Sequence, residues 1–111
     1  MIRICRSYRF EAAHFLPYVQ DGHKCKRMHG HNYRVDFAIS GNLNKYGFVC
    51  DFAHIDDDVL PLIKKLDHRV INEIIENPTA EIIAQWFFEH LLIYDLVRVY
   101  ENDDSWAEVS K

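Results

Sequence analysis

The segment HGHNYRVDFAIS, residues 29–40, alternates apolar and polar side chains over most of its length. Tyr33, Val35, Phe37 and Ile39 occupy its odd positions, and polar or small residues separate them. This period of two is typical of a β-strand that buries one face. The sequence therefore predicts a half-buried strand in this region.

The segments on either side predict three further strands and two helices. One strand runs from about Ile2 to Phe15, and two more lie around 97–101 and 106–109, separated by a polar turn. Between them, Asp51 and Thr79 are the predicted N-caps of two amphipathic helices. The predicted apolar faces are Ile55, Val59, Leu62, Ile63 and Leu66 in the first helix, and Ile83, Trp86, Phe87 and Leu91 in the second.

The order strand, strand, helix, helix, strand, strand predicts an α+β fold. Such a chain makes a four-stranded antiparallel sheet with two helices on one face. The other face of the sheet and both of its edges stay open. Because open edges invite partner strands, we expect a homo-oligomer.

Bulk properties restrict the class of protein. The 111 residues suit one domain spanning 1–111, and the net charge of −4, with basic residues spread along the chain, argues against a nucleic-acid partner. The apolar runs are too short to cross a membrane, and the N-terminus lacks an apolar region long enough for a secretion signal. Cys5, Cys25 and Cys50 have no disulfide-framework spacing, so we expect a cytoplasmic protein.

Three histidines are candidate metal ligands. His29 and His31 lie two residues apart, so on an extended chain they project to the same side and can share an ion. His14, at the end of the first predicted strand, can supply a third imidazole. Three imidazoles leave zinc an open coordination position, which indicates catalysis. An isolated His-x-His pair, by contrast, is more often two ordinary polar residues than a metal site.

Strict alternation would place the paired histidines on the buried face of their strand, together with Tyr33 and Val35. We therefore expect Gly30 to mark a β-bulge that turns them away from the core.

The chain resembles the 6-pyruvoyl- and 6-carboxytetrahydropterin synthase family nearly from end to end. Five segments in the same order are too many for coincidence. They are FEAAHFLP (10–17), CKRMHGH (25–31), LDH with IN (66–68 and 71–72), PTAE (78–81) and VRVYE (97–101). The resemblance implies the ββααββ tunnelling fold, closed into a barrel by oligomerisation, commonly as a hexamer of two trimers. The chain departs from the family in a short segment between Leu91 and Leu96 and in Asn102, where threonine is frequent.

The resemblance also implies the chemistry. Zinc would be held by His14, His29 and His31, and the substrate would be 7,8-dihydroneopterin triphosphate. Glu101 would anchor the pterin ring by accepting two hydrogen bonds from its N–H groups. The other implied substrate-binding residues are Thr79, Lys24 and Arg27, with the two basic residues meeting the triphosphate.

The resemblance assigns catalytic roles in proton transfer to Cys25, Asp67 and His68. Cys25 on its own would be an ordinary loop cysteine, but Lys24, Lys26 and Arg27 surround it with positive charge that favours a thiolate. His68 would act as a second base, oriented by Asp67. Because adjacent residues on a regular element point apart, the sequence leaves open whether that pair forms within one chain or across a subunit boundary.

The local sequence favours the carboxy branch of the family. That branch releases acetaldehyde on the way to 7-deazaguanine compounds such as queuosine, and FEAAH (10–14) and GHKC (22–25) resemble its pattern. His23 belongs to that pattern and receives no zinc role. A folate-synthesis branch has a glutamate at or near position 25, whereas this chain has none between Glu11 and Glu73.

Two alternatives remain. One is the pyruvoyl-forming enzyme of the same family, and the other is a non-catalytic, zinc-stabilised pterin-binding module. The joint presence of Cys25, Asp67, His68 and Glu101 argues against the second.

Overall fold

The predicted strand at residues 29–40 is the second strand of a four-stranded antiparallel sheet, in the order β1-β2-β3-β4. The computed structural model describes all 111 residues. The strands are β1 (Ile2–His14), β2 (His29–Gly41), β3 (Leu96–Asn102) and β4 (Ser105–Ser110), and the helices are α1 (Phe52–Leu66) and α2 (Ala80–Glu89). The predicted α+β fold is confirmed. Neither helix is both long and apolar enough to span a bilayer.

The hydrophobic core lies between the two helices and one face of the sheet, here called the inner face. Tyr33, Val35 and Phe37 of β2 and Val97 and Val99 of β3 are completely buried there. They form one cluster with the apolar residues of α1 and α2. The alternation of β2 is therefore explained by burial against the helices.

The pairing of β1 with β2 is regular along its whole length. It runs from Ile2 opposite Gly41 to His14 opposite His29, and Gly30 lies opposite Ala13 without a register shift. The predicted bulge at Gly30 is therefore wrong. A Cβ at Gly30 would lie 3.6 Å from the Ala12 carbonyl oxygen, which is an ordinary contact. No close approach of the backbone therefore requires a glycine at this position.

The predicted N-caps of both helices are confirmed. Asp51 accepts a hydrogen bond from the backbone N–H of Ala53 at 2.9 Å, and the Thr79 hydroxyl accepts one from the N–H of Ile82 at 3.1 Å. The second helix ends earlier than predicted, at Glu89. Leu91 is still buried, but it lies in the loop beyond the helix.

The opposite face of the sheet, the outer face, carries polar groups. Asp36 of β2 is only 5% exposed and accepts hydrogen bonds from the Arg34 side chain and from the Ser7 hydroxyl. Burial alone would raise the pKa of Asp36, but these hydrogen bonds hold it below its usual range. The outer face thus carries a hydrogen-bonded network of charged side chains.

The outer edge of β1 is partly covered near His14. The N–H of His68 donates to the Glu11 carbonyl oxygen at 2.6 Å, and the N–H of Ala13 donates to the Arg69 carbonyl oxygen at 3.0 Å. Val70 completes a short parallel bridge with Ala13. The edge from Ile2 to Arg9 and the outer edge of β4 have no partner strand.

We expect Asp51→Ala to lower the free energy of unfolding by about 1 kcal/mol, because the N-terminal amide of α1 loses its acceptor. Urea denaturation would measure the change. Asp51→Asn is the matched control, since its amide oxygen can accept the same bond. Equal destabilisation by both substitutions would contradict the capping role.

Candidate metal centre

Three imidazoles meet at one end of the inner face. The pairing of β1 with β2 sets His14 directly opposite His29, and His31 follows on the same side of β2. The Nε2 atoms of His14 and His29 are 3.0 Å apart, and the ligand atoms of all three rings lie within 4.8 Å of one another. His14 is fully buried, and the other two are half-buried. The structure therefore brings the three predicted ligands together.

Backbone carbonyl groups set the tautomers of two of these rings. The Nδ1 atom of His14 lies 2.8 Å from the Pro78 carbonyl oxygen, and that of His29 lies 2.7 Å from the Arg27 carbonyl oxygen. Because a carbonyl oxygen only accepts, each Nδ1 carries its proton and each Nε2 presents a lone pair.

Two lone pairs 3.0 Å apart repel each other unless a cation lies near both. The arrangement therefore fits a metal ion held through Nε2, and an all-imidazole donor set suits zinc. Burial lowers the pKa of His14 and of His31, and the neighbouring imidazoles lower them further. Both shifts favour the neutral imidazole, which is the form that binds a metal.

Glu101 of β3 adds a carboxylate beside the triad. Its Oε2 lies 3.6 Å from His14 Nε2 and 3.8 Å from His31 Nε2. It shares the inner face with Val97 and Val99, and it lies within the register shift between Tyr100 and Asn102 in the pairing of β3 with β4. A carboxylate here can offset part of the charge of a cation or accept hydrogen bonds from a ligand bound next to it.

Thr79 makes no hydrogen bond to the triad, but the preceding residue, Pro78, does. The Thr79 hydroxyl oxygen caps α2, while the carbonyl of Pro78 holds His14. The start of the second helix thus supports the triad, and the substrate-binding role of Thr79 stays a prediction.

Cys25 lies in the loop that joins β1 to β2, inside a one-turn 3₁₀ helix, Lys24–Lys26, which we call the Cys25 turn. The thiol is free and half-buried. Lys26 pairs with Asp21, while Lys24 and Arg27 have no acidic partner within the chain. Those two cations therefore remain available to an anionic ligand.

Asp67 and His68 follow the C-terminus of α1 and contact each other within one chain. Asp67 Oδ1 lies 2.9 Å from His68 Nδ1. His68 has a left-handed backbone with φ of 58°, a conformation that is uncommon for residues other than glycine and that is enriched at functional sites. Outside a regular element the two adjacent side chains can meet, which answers the question that the sequence left open.

The same pair is separated from the triad within one chain. His68 Nε2 lies 3.6 Å from a carboxylate oxygen of Glu11. Glu11 is exposed between the buried residues Phe10 and Ala12, so it points to the outer face, whereas His14 points to the inner face. One chain therefore does not unite Asp67 and His68 with the metal ligands.

Sequence reasoning missed several supporting contacts. The Asn72 side chain both accepts from the N–H of Phe15 and donates to its carbonyl oxygen, which anchors the end of β1 next to His14. Glu11 provides the backbone groups that hold residues 67 and 68. Both residues lie inside segments shared with the family, but their type alone does not indicate these roles.

Comparison with known proteins gives a consistent picture. The family model described as 6-pyruvoyl tetrahydropterin synthase matches residues 3–111. A protein of Archaeoglobus fulgidus with the provisional name 6-carboxy-5,6,7,8-tetrahydropterin synthase is 42% identical over 110 residues, covering 95% of this chain and 92% of its own. The Synechocystis protein named 6-carboxy-5,6,7,8-tetrahydropterin synthase is 38% identical over 96 residues, covering 79% and 73%.

A further relative has a different name. Dihydroneopterin monophosphate aldolase of Pyrococcus furiosus is 35% identical over 89 residues, covering 80% of this chain and 74% of its own. Among solved structures, 6-pyruvoyl tetrahydropterin synthase of Caenorhabditis elegans shares the fold with a TM-score of 0.89, at 23% identity, covering 99% of this chain and 95% of that one.

We expect His29→Ala to abolish stoichiometric zinc binding, because it removes one of three converging Nε2 donors. Zinc content after dialysis, measured by mass spectrometry, tests this. His54→Ala, at an exposed histidine of α1 far from the triad in sequence, is the control and should retain zinc. Full zinc content in His29→Ala would refute the assignment.

Proposed function

The chain belongs to the 6-pyruvoyl tetrahydropterin synthase family, and from that premise we propose that it is a zinc-dependent pterin-forming lyase. The proposed reaction converts 7,8-dihydroneopterin triphosphate to 6-carboxy-5,6,7,8-tetrahydropterin, with release of acetaldehyde and triphosphate. The observation that carries the proposal is the convergence of His14, His29 and His31. A metal at this centre would polarise a substrate oxygen and ease removal of nearby protons.

The carboxy product is favoured over the other family activities by two observations. The relatives from Archaeoglobus and Synechocystis are named for it, and GHKC (22–25) precedes the paired histidines as in the carboxy pattern. This product would place the protein in the synthesis of 7-deazaguanine compounds such as queuosine, in the cytoplasm. The pyruvoyl enzyme is the second candidate. The relative from Pyrococcus adds side-chain cleavage of dihydroneopterin monophosphate as a third.

We assign the substrate contacts to residues around the centre. Glu101 would accept hydrogen bonds from the pterin amino and ring N–H groups, and its position beside His14 and His31 would bring the ring close to the triad. Lys24 and Arg27 would meet the triphosphate, since neither cation is paired within the chain. Cys25, at the same end of the sheet, would remove a proton from the substrate side chain.

A second copy of the chain would supply the remaining base. Asp67 and His68 lie on the far side of β1 from their own triad, so the proposed mechanism needs this pair from a neighbouring subunit. Self-association is supported by the unpaired edges of β1 and β4. It is also supported by a radius of gyration of 15.2 Å, larger than the roughly 13 Å typical of a compact chain of this length. We propose a barrel closed by β1 and β4, in a homohexamer.

The direct test is incubation of the zinc-loaded protein with 7,8-dihydroneopterin triphosphate and, separately, with the monophosphate, followed by mass spectrometry of the products. Carboxytetrahydropterin with acetaldehyde would support the proposal, and the pyruvoyl product would select the second candidate. Turnover of the monophosphate alone would select an aldolase. Pterin binding without turnover of either substrate would select the non-catalytic module.

We expect Cys25→Ala to lower kcat by about 10²-fold or more, because a general base is lost from the reacting centre. Zinc content and pterin binding should be unchanged. Cys5→Ala is the matched control, since Cys5 lies on the outer face of β1 and should leave turnover intact. Unaltered turnover in Cys25→Ala would exclude it as the base.

Mixed assemblies test the shared site. Cys25→Ala and His68→Asn chains should each be inactive alone, and coexpressed chains with different tags should recover activity when purified as mixed oligomers. In a mixed oligomer, one site can contain both an intact Cys25 and an intact His68 only if the two residues come from different chains. Failure to recover activity in confirmed mixed oligomers would place the whole site in one chain.

A further inference from the structure

We propose that His23 is a positioning residue that fixes Cys25 by capping the turn in which Cys25 lies. Its Nδ1 atom accepts a hydrogen bond from the backbone N–H of Cys25 at 3.0 Å. The backbone of His23 is extended, with φ of −67° and ψ of 132°, which is the conformation of an N-cap residue. The inference deepens the proposed function, because it assumes that Cys25 acts on the substrate.

The hydrogen bonds of the Cys25 turn hold the cysteine peptide from both sides. The Cys25 carbonyl oxygen accepts from the N–H of Leu16 at 2.8 Å, two residues after His14. The His23 carbonyl oxygen accepts from the N–H of Lys26 at 3.1 Å, which closes the turn around Cys25. His23 thus contributes both its side chain and its backbone, and Leu16 attaches the turn to the end of β1.

The same turn also contacts a metal ligand. Arg27 ends the turn by donating its N–H to the Lys24 carbonyl oxygen at 3.2 Å, and its own carbonyl oxygen holds the Nδ1 of His29 at 2.7 Å. A path of three hydrogen bonds therefore runs from His23 to the His29 ring, through the peptide units 24–25, 26–27 and 27–28. Loss of the first bond would loosen Cys25 relative to the triad, and small misplacements of a reacting group are costly.

The geometry assigns His23 this role in preference to metal binding or proton transfer. With Nδ1 accepting from the backbone, the ring proton resides on Nε2. The ring is exposed and does not belong to the group of converging ligands. Asn is a close substitute, because its Oδ1 is separated from Cα by the same number of bonds as the His Nδ1, whereas the Gln oxygen is one bond further away.

The test compares His23→Asn, His23→Gln and His23→Ala in a Cys5→Ser, Cys50→Ser background, where Cys25 is the only thiol. In His23→Ala and His23→Gln we expect kcat to fall about tenfold or more with KM nearly unchanged. His23→Asn should recover most of the loss. Alkylation of Cys25 by iodoacetamide at about pH 10, where an ordinary thiol is ionised, should be at least about threefold faster in the Ala and Gln variants and unchanged in Asn.

Several results would overturn the proposal. One is a normal kcat and a normal alkylation rate in His23→Ala. Another is that a folded His23→Asn does not recover kcat. The third is loss of zinc together with activity in His23→Ala, which would indicate a role in the metal centre itself. Failure of the proposed function is separable, because the alkylation rates report the cap even if the wild-type protein does not turn over the pterin substrate.

Discussion

The antiparallel register of β1 against β2 determines the geometry of the histidine triad. It sets His14 opposite His29 and leaves His31 on the same face, and it also buries Tyr33 and Val35 beneath the helices. A slip of one residue would send every side chain of β2 to the other face. The same register therefore produces both the packed core and the triad. The free energy gained by burying the apolar residues keeps the imidazoles in place.

Hydrogen bonds to the backbone orient two rings of the triad. Carbonyl groups from Arg27 and Pro78 fix the ring protons, so that His14 and His29 direct their lone pairs at each other. This geometry is unfavourable for the bare rings and favourable once a cation lies between them.

Much of the fold could be predicted because local chemistry and burial agree. Alternation, two side-chain caps and a polar turn between β3 and β4 were sufficient for the elements and their order. The bulge at Gly30 was wrongly predicted because the inner face was assumed to be apolar throughout, whereas polar partners replace the core at its end. The last turn of α2 was overestimated because Leu91 continues the apolar pattern after the helix has ended.

The pairing of Asp67 with His68 was expected from the resemblance, but the sequence could not show that it forms within one chain, since it depends on a left-handed backbone at His68. The bonds to Glu11 that hold this conformation join positions far apart in the sequence. The separation of that pair from the triad follows from the two faces of β1, because Glu11, which lies beside His68, points to the outer face and His14 points to the inner face.

The short parallel bridge between Ala13 and Val70 limits how chains of this protein can join. An incoming strand can add to the edge of β1 only as far as Arg9, because residues 68–70 occupy the backbone groups beyond it. This blocked end acts as a stop for the incoming strand and excludes most sliding alignments. The backbone contacts that hold residues 68–70 against β1 therefore also restrict the registers in which a partner strand could pair with this edge.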